Sequence, residues 1–200
     1  MIKSLLGEGL DSWVRALFPF LFRWRANPNT LTVLGTVLSL GGAVEFARGE
    51  FLPAGVLILG GGFFDLVDGV VARQNGSATR FGAFLDSTLD RLVDMALLLG
   101  ITMRFAILGE PAHVLLAGYT LVSSVLVSYS QARAQLFLPA FRGGFFERGE
   151  RVVLLALGAL SGFLVPVLWI LAVGTTITVI QRFAHAYREM ERLDAAEREV

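Results

Sequence analysis

Apolar residues in this chain come in long runs, and the polar residues collect between them. A run needs about 20 residues, each rising about 1.5 Å, to cross the ~30 Å hydrocarbon core of a bilayer. Six runs can be marked: Thr30–Ala47, Phe51–Val71, Gly82–Ile107, Ala112–Ala132, Arg151–Ser161 and Gly162–Arg182. This pattern predicts an all-α integral membrane protein with six transmembrane helices. The fifth run is short. Ser161-Gly162 and Pro166 set its boundary with the sixth, and five spans with a kink or re-entrant piece are the alternative. The third run opens on polar residues, so its start is expected to project from the bilayer.

Ahead of the first run, residues 1–26 mix Leu5, Leu6, Leu10, Trp13, Val14, Leu17 and Phe18 with Lys3, Glu8, Asp11 and Arg15. This mixture predicts an N-terminal interfacial amphipathic helix beside the membrane. Its charges break the apolar stretch, so no cleavable signal is expected. Asn27-Pro28-Asn29-Thr30 reads as a turn that caps the first span. Residues 27–188 form the expected six-helix domain. Residues 189–200 alternate in charge and are expected to be a solvated cytoplasmic tail, helical or frayed.

Composition sharpens the class. The chain is 54% hydrophobic with 17% charged residues, and its mean hydropathy is +0.65; few soluble domains are so apolar. The absence of cysteine excludes disulfides and thiolate metal ligands. Net charge is zero, but its placement is one-sided. With six spans and the N-terminus inside, only Arg48 and Arg104 fall outside, while Arg73, Arg80, Arg91, Arg133, Arg142, Arg148, Arg151, Arg182 and the terminal basic residues fall inside. The positive-inside rule therefore puts both termini, and the polar start of the third run, on the cytoplasmic side of the cell membrane. No nucleic-acid partner is expected.

The candidate chemistry lies in residues 65–90, DLVDGVVARQNGSATRFGAFLDSTLD. Asp65, Asp68, Asp86 and Asp90 sit in or beside strongly apolar runs. An ionised carboxylate at the bilayer centre costs at least about 2.5–3.5 kcal/mol, and four together repel one another. A divalent cation removes both problems, because it takes oxygen ligands and cancels charge. Asp65 and Asp68 are three residues apart, and Asp86 and Asp90 four, so each pair shares a helix face. Antiparallel packing of the second and third helices brings the pairs together. The lack of His and Cys in the segment favours Mg²⁺, Mn²⁺ or Ca²⁺ over zinc. Two such ions suit phosphoryl chemistry. Gly69, Ala72 and Gly82 leave room for a ligand to approach the helices. Gly60-Gly61-Gly62 reads as a packing surface between helices.

Asp65-x2-Asp68-Gly69-x2-Ala72-Arg73-x8-Gly82-x3-Asp86-x3-Asp90 resembles the signature of the CDP-alcohol phosphatidyltransferase family at all its fixed positions. The resemblance implies an enzyme of phospholipid biosynthesis that transfers a phosphatidyl group from CDP-diacylglycerol to an alcohol and releases CMP. It implies that Asp65, Asp68, Asp86 and Asp90 hold Mg²⁺ or Mn²⁺, two ions per site, and that Asp90 is also the catalytic base. Gly69, Ala72, Arg73 and Gly82 would line the CDP pocket. The lipid bilayer and a soluble phosphorylated alcohol are the implied partners, and a homodimer the implied assembly.

The motif details are similar to those of bacterial phosphatidylinositol-phosphate synthases and the related archaeal enzymes. Thr79-Arg80-Phe81-Gly82, the run Ser128–Gln135, Phe146–Arg151 and Gln181-Arg182 carry this likeness. Gln131 and Gln135 depart from the lysine and glutamate usual there. Arg80, Arg133, Arg148, Arg151 and Arg182 would form the acceptor-phosphate site, since a phosphomonoester dianion suits arginine forks. The same arginines could serve as positive-inside anchors. Inositol 1-phosphate is the expected acceptor, and glycerol 3-phosphate the alternative. In a different class stands a divalent-cation transporter, because intramembrane carboxylates also mark ion pathways; an assembly scaffold is a third reading.

Asp94 continues the Asp86–Asp90 face by a turn and is expected to pair with Arg91 or another helix rather than to ligate. Glu45 is expected to snorkel or pair near the outer interface. His113 and His185 read as interfacial groups, and Thr32, Ser39, Thr175, Thr176 and Thr178 as hydrogen-bonding residues within or between helices.

Overall fold

The computed structural model describes residues 27–141 and 143–198, and every regular element among them is helical. The expected amphipathic helix over residues 1–26 lies outside the described residues. The elements are α1 (Pro28–Arg48), α2 (Phe51–Gln74), α3 (Arg80–Ile107), α4 (Pro111–Ala134), α5 (Arg148–Ser161) and α6 (Leu164–Arg198). Each begins or stops for a local reason. Asn27 caps α1 by accepting from the Asn29 amide at 3.0 Å, and Pro28 follows it. Gly49 ends α1 in the left-handed region, φ 86°, where a Cβ would be strained. Thr79 caps α3 through the Gly82 amide at 2.9 Å. Gly162, φ 76°, ends α5, and Pro166 lies in the first turn of α6.

Short connections make successive helices antiparallel. The helices close into a ring, in the order α1, α2, α5, α6, α4, α3 and back to α1. One end carries the links 49–50, 108–110 and 162–163. The other carries the start of α1, the link 75–79, the segment 135–147 and the end of α6. Arg48 and Arg104 lie at the first end, and the remaining basic residues of the helices lie at or toward the second. At that first end Arg104 donates to the Arg48 carbonyl at 3.3 Å, and Arg48 pairs with Glu45 at 2.9 Å, as expected for Glu45.

Four helices (α1, α2, α4 and α6) are long and apolar enough to cross a membrane. Their outer faces are studded with exposed Val37, Leu52, Val56, Leu115, Val122 and Trp169, an arrangement that suits lipid rather than water. α3 is 28 residues long with a polar first half, as its sequence predicts. α5 has 14 residues and, at about 1.5 Å each, reaches about 21 Å, short of the ~30 Å core. The segment before it packs against α6. Phe146 lays its ring against Gly174 of α6, and its amide donates to Thr178 Oγ1 at 3.1 Å. α6 runs unbroken through residue 198, so the charged tail continues the helix, with Arg192 pairing to Glu189 at 2.9 Å.

Small residues set the closest helix approaches. Of the three consecutive glycines, only Gly61 is at a tight contact: a Cβ there would collide with Ser39 Oγ and stand 2.6 Å from the Gly35 carbonyl of α1. Gly100 meets the Ala43 carbonyl in the same way between α3 and α1. Polar pairs join α4 to α6, with Ser123 and Thr175 hydroxyls 2.7 Å apart and Tyr119 and Thr176 2.6 Å apart. The Gly61→Ala variant is expected to lose about 1–3 kcal/mol by overpacking. Gly62→Ala, with nothing within 4 Å of its Cβ, should lose nothing. Thermal unfolding of both in detergent checks this; equal midpoints would contradict the α1–α2 contact.

Candidate metal and phosphoryl-transfer site

The 75–79 link folds α3 back along α2, and the two aspartate pairs meet. Asp65, Asp68 and Asp86 each bring a carboxylate oxygen within 4.8 Å of the others. Asp68 is 6% exposed, and Thr32 of α1 donates to its Oδ2 at 2.5 Å. Among the described residues this is the group of carboxylates close enough to share a cation. All its donors are hard oxygens, the set that suits Mg²⁺, Mn²⁺ or Ca²⁺. Three like charges held this close need a positive partner, so the residues present fit a divalent ion.

Asp90, one turn further along α3, falls outside that group of three. Its Oδ1 is 2.7 Å from Arg148 Nη1, and the same nitrogen donates to Asp65 Oδ2 at 3.0 Å. Arg148 is the first residue of α5. Asp65 lies nine residues before the end of α2, a depth of about 13 Å at the usual helical rise. The short α5 thus starts beside the aspartates, and its positive dipole end faces them.

Asp94 adds a fifth carboxylate. It is 8% exposed, and its Oδ2 is 2.6 Å from Arg151 Nη2, with Arg148 Nε 3.6 Å from its other oxygen. Asp94 therefore pairs with another helix, one of the two outcomes expected, and the partner is α5. Arg91 instead donates to the Ser87 carbonyl at 2.5 Å. Arg151 also reaches the Phe146 carbonyl at 3.3 Å and Ser128 Oγ at 3.4 Å. Arg182 is 3% exposed and donates to the Gly143 carbonyl at 2.7 Å and to the Val127 carbonyl. Arg151 and Arg182 thus converge on neighbouring residues of α4, and the donors named here bind protein groups.

The other predicted site residues fall as follows. Gly69 is beside Arg73: a Cβ there would stand 3.3 Å from Arg73 Nη1. Ala72 is half-buried on α2. Gly82 has a local reason of its own, because a Cβ there would press on Asn29 Oδ1 at 3.0 Å and Thr79 Oγ1 at 3.1 Å. It lets the start of α3 pack against the start of α1. Arg80 and Arg133 are exposed, and Arg133 stacks over the Phe137 ring at 5.6 Å. The residue that sequence reasoning missed is Thr32 as a partner of Asp68. The sequence marks it only as a helix hydroxyl, since a contact spanning 36 residues leaves no local spacing signal.

The chain matches the family model for CDP-alcohol phosphatidyltransferases over residues 25–181. It is 40% identical to a phosphatidylinositol phosphate synthase of Streptomyces avermitilis, covering 94% of this chain and 86% of that one. Among solved structures it is similar to the Mycobacterium tuberculosis phosphatidylinositol phosphate synthase. The form with CDP-DAG bound has a TM-score of 0.77 at 34% identity, covering 86% of this chain and 92% of the other. The form with manganese and citrate has a TM-score of 0.77 at 33% identity, over 86% and 88%.

Breaking the buried Asp94–Arg151 pair strands a charge. Arg151→Met is expected to cost about 3–5 kcal/mol, and adding Asp94→Leu should recover most of it. Unfolding midpoints of the single and double variants check this; a double variant no more stable than the single would contradict the pairing.

Proposed function

The chain belongs to the CDP-alcohol phosphatidyltransferase family and is an enzyme of that class, and from that premise we propose that it transfers the phosphatidyl group of CDP-diacylglycerol to inositol 1-phosphate. The products are phosphatidylinositol phosphate and CMP. The observation that carries this reading is the convergence of Asp65, Asp68 and Asp86, with Asp90 one turn away, in a bundle of apolar helices. The inositol phosphate acceptor is supported by the likeness to phosphatidylinositol phosphate synthases. Glycerol 3-phosphate is the alternative acceptor.

Asp65, Asp68 and Asp86 are the residues that hold the divalent cation, with Asp90 completing a second site, and Mg²⁺ or Mn²⁺ is the ion. Bound there, the ions neutralise the pyrophosphate and polarise the phosphorus under attack. Thr32 fixes Asp68, so that carboxylate needs no rearrangement to ligate. Asp90 accepts the proton of the acceptor hydroxyl as its oxygen attacks the phosphatidyl phosphorus. The bond from phosphorus to the CMP oxygen breaks, and CMP leaves with that electron pair. Gly69 and Ala72 keep the α2 face low where the cytidine nucleotide sits, with Arg73 and Gly82 at its edge. Arg80, Arg133 and Arg148 are the acceptor-phosphate residues, and Arg151 and Arg182 support them from beneath.

The protein works as a six-span membrane enzyme. Its site faces the cytoplasm, the side on which the basic residues gather. A homodimer belongs to the same reading. A cation transporter would need a path from both faces, whereas here the carboxylates lie toward one end of the ring.

Purified protein with CDP-diacylglycerol and Mn²⁺, offered inositol 1-phosphate or glycerol 3-phosphate separately, tests the reading through CMP release. Release with inositol 1-phosphate is expected; release with glycerol 3-phosphate alone would replace the acceptor. Asp90→Asn should abolish transfer while CDP-diacylglycerol binding stays, and normal turnover by it would refute Asp90 as the base. Arg133→Ala should raise the KM for the acceptor at least about tenfold, the loss of roughly one charge-assisted contact. An equal rise for both substrates would make Arg133 an anchor instead.

A further inference from the structure

One nitrogen of Arg148 holds carboxylates from two helices at once. Nη1 is 3.0 Å from Asp65 Oδ2 on α2 and 2.7 Å from Asp90 Oδ1 on α3. Asp65 is also one of the three carboxylates that converge within 4.8 Å. The guanidinium and a divalent cation therefore draw on the same oxygens. A cation among Asp65, Asp68 and Asp86 would also face the guanidinium as a like charge across one shared carboxylate, where the surroundings screen poorly.

The grip of Arg148 on Asp65 and Asp90 runs through one nitrogen, Nη1. Its Nε is buried and makes no hydrogen bond, since Asp94 Oδ1 is 3.6 Å away. Arg151 differs. Its Nη2 pairs with Asp94 at 2.6 Å and also touches Ser128 Oγ, and its side chain is 4% exposed against 24% for Arg148. Arg151 is a fixture, whereas Arg148 is the first residue of its helix and keeps part of its side chain exposed.

We propose that Arg148 is a displaceable counter-ion of this site: it gives up Asp65 and Asp90 when a divalent cation binds, and only then turns to the acceptor phosphate. The second half rests on the transfer reading above; the first half does not. Binding would follow an order, cation before acceptor.

The test is Mn²⁺ binding to the full chain in detergent, read as free Mn²⁺ by electron paramagnetic resonance, with no lipid or acceptor present. Arg148→Gln removes the competing charge and is expected to bind Mn²⁺ at least about tenfold more tightly than the parent, a coupling of ordinary size. Arg148→Lys keeps a charge for folding but lacks the fork, and its affinity should lie between the two. Should Arg148→Gln fail to fold, Arg148→Lys reads the same competition. Affinity equal to or weaker than the parent's in the folded variants would overturn the proposal and make Arg148 a fixed support of the site. Tighter Mn²⁺ binding by the variants, alongside no CMP release by the parent with any acceptor, would sink the transfer reading and leave the counter-ion exchange standing.

Discussion

Five carboxylates, Asp65, Asp68, Asp86, Asp90 and Asp94, are drawn together inside a ring of apolar helices, and most of the surrounding structure answers the charge they concentrate. Carboxylates this close cannot all stay ionised without positive charge or hydrogen-bond donors beside them. Thr32 serves Asp68 from α1, Arg148 spans Asp65 and Asp90, and Arg151 neutralises Asp94. Each partner comes from a helix other than the one it serves. The acidic cluster therefore binds the ring together as well as supplying ligands, and α1, α2, α3 and α5 must all be present for it to exist. The three converging carboxylates are the place where a divalent ion finds hard oxygen donors within reach of one another.

The length of α5 follows from the same constraint. A full span would carry its N-terminus to the end of the bundle, beyond reach of Asp65. With 14 residues, α5 begins at the depth of the aspartates, and the segment 135–147 descends to meet it. Phe146 against Gly174 and the bonds of Arg182 to the Gly143 and Val127 carbonyls hold that descent in place. A shortened helix in a membrane leaves backbone groups to be satisfied, and the Thr178 and Arg182 contacts satisfy some of them.

Much of this was legible in the residues. The apolar runs mark the helices, and the i,i+3 and i,i+4 spacing of the aspartates places each pair on one face, because helical periodicity is local. Gly60-Gly61-Gly62 reads as a packing surface because small residues are common at membrane helix contacts, and the structure narrows that role to Gly61. The partners across helices were harder to read. Nothing near Asp94 in sequence distinguishes Arg91 from Arg151, 57 residues away, and only the ring order decides it. Arg80, Arg133, Arg148, Arg151 and Arg182 look alike as cationic residues at span ends. Packing separates them into exposed residues, a bridge between carboxylates and two buried supports. Gly82 shows the limit from the other side: its spacing in the motif suggests a ligand, and its surroundings add the close approach of Asn29 and Thr79.

The account stands on the claim that Asp65, Asp68 and Asp86 hold a divalent cation, and direct Mn²⁺ titration of the purified chain against an Asp86→Asn variant tests it. Asp86→Asn keeps the shape of the group and removes one charged ligand. The account predicts saturable binding by the parent and at least about tenfold weaker binding by the variant. Equal affinity in the two folded proteins would contradict it, and would separate the aspartate cluster from the metal.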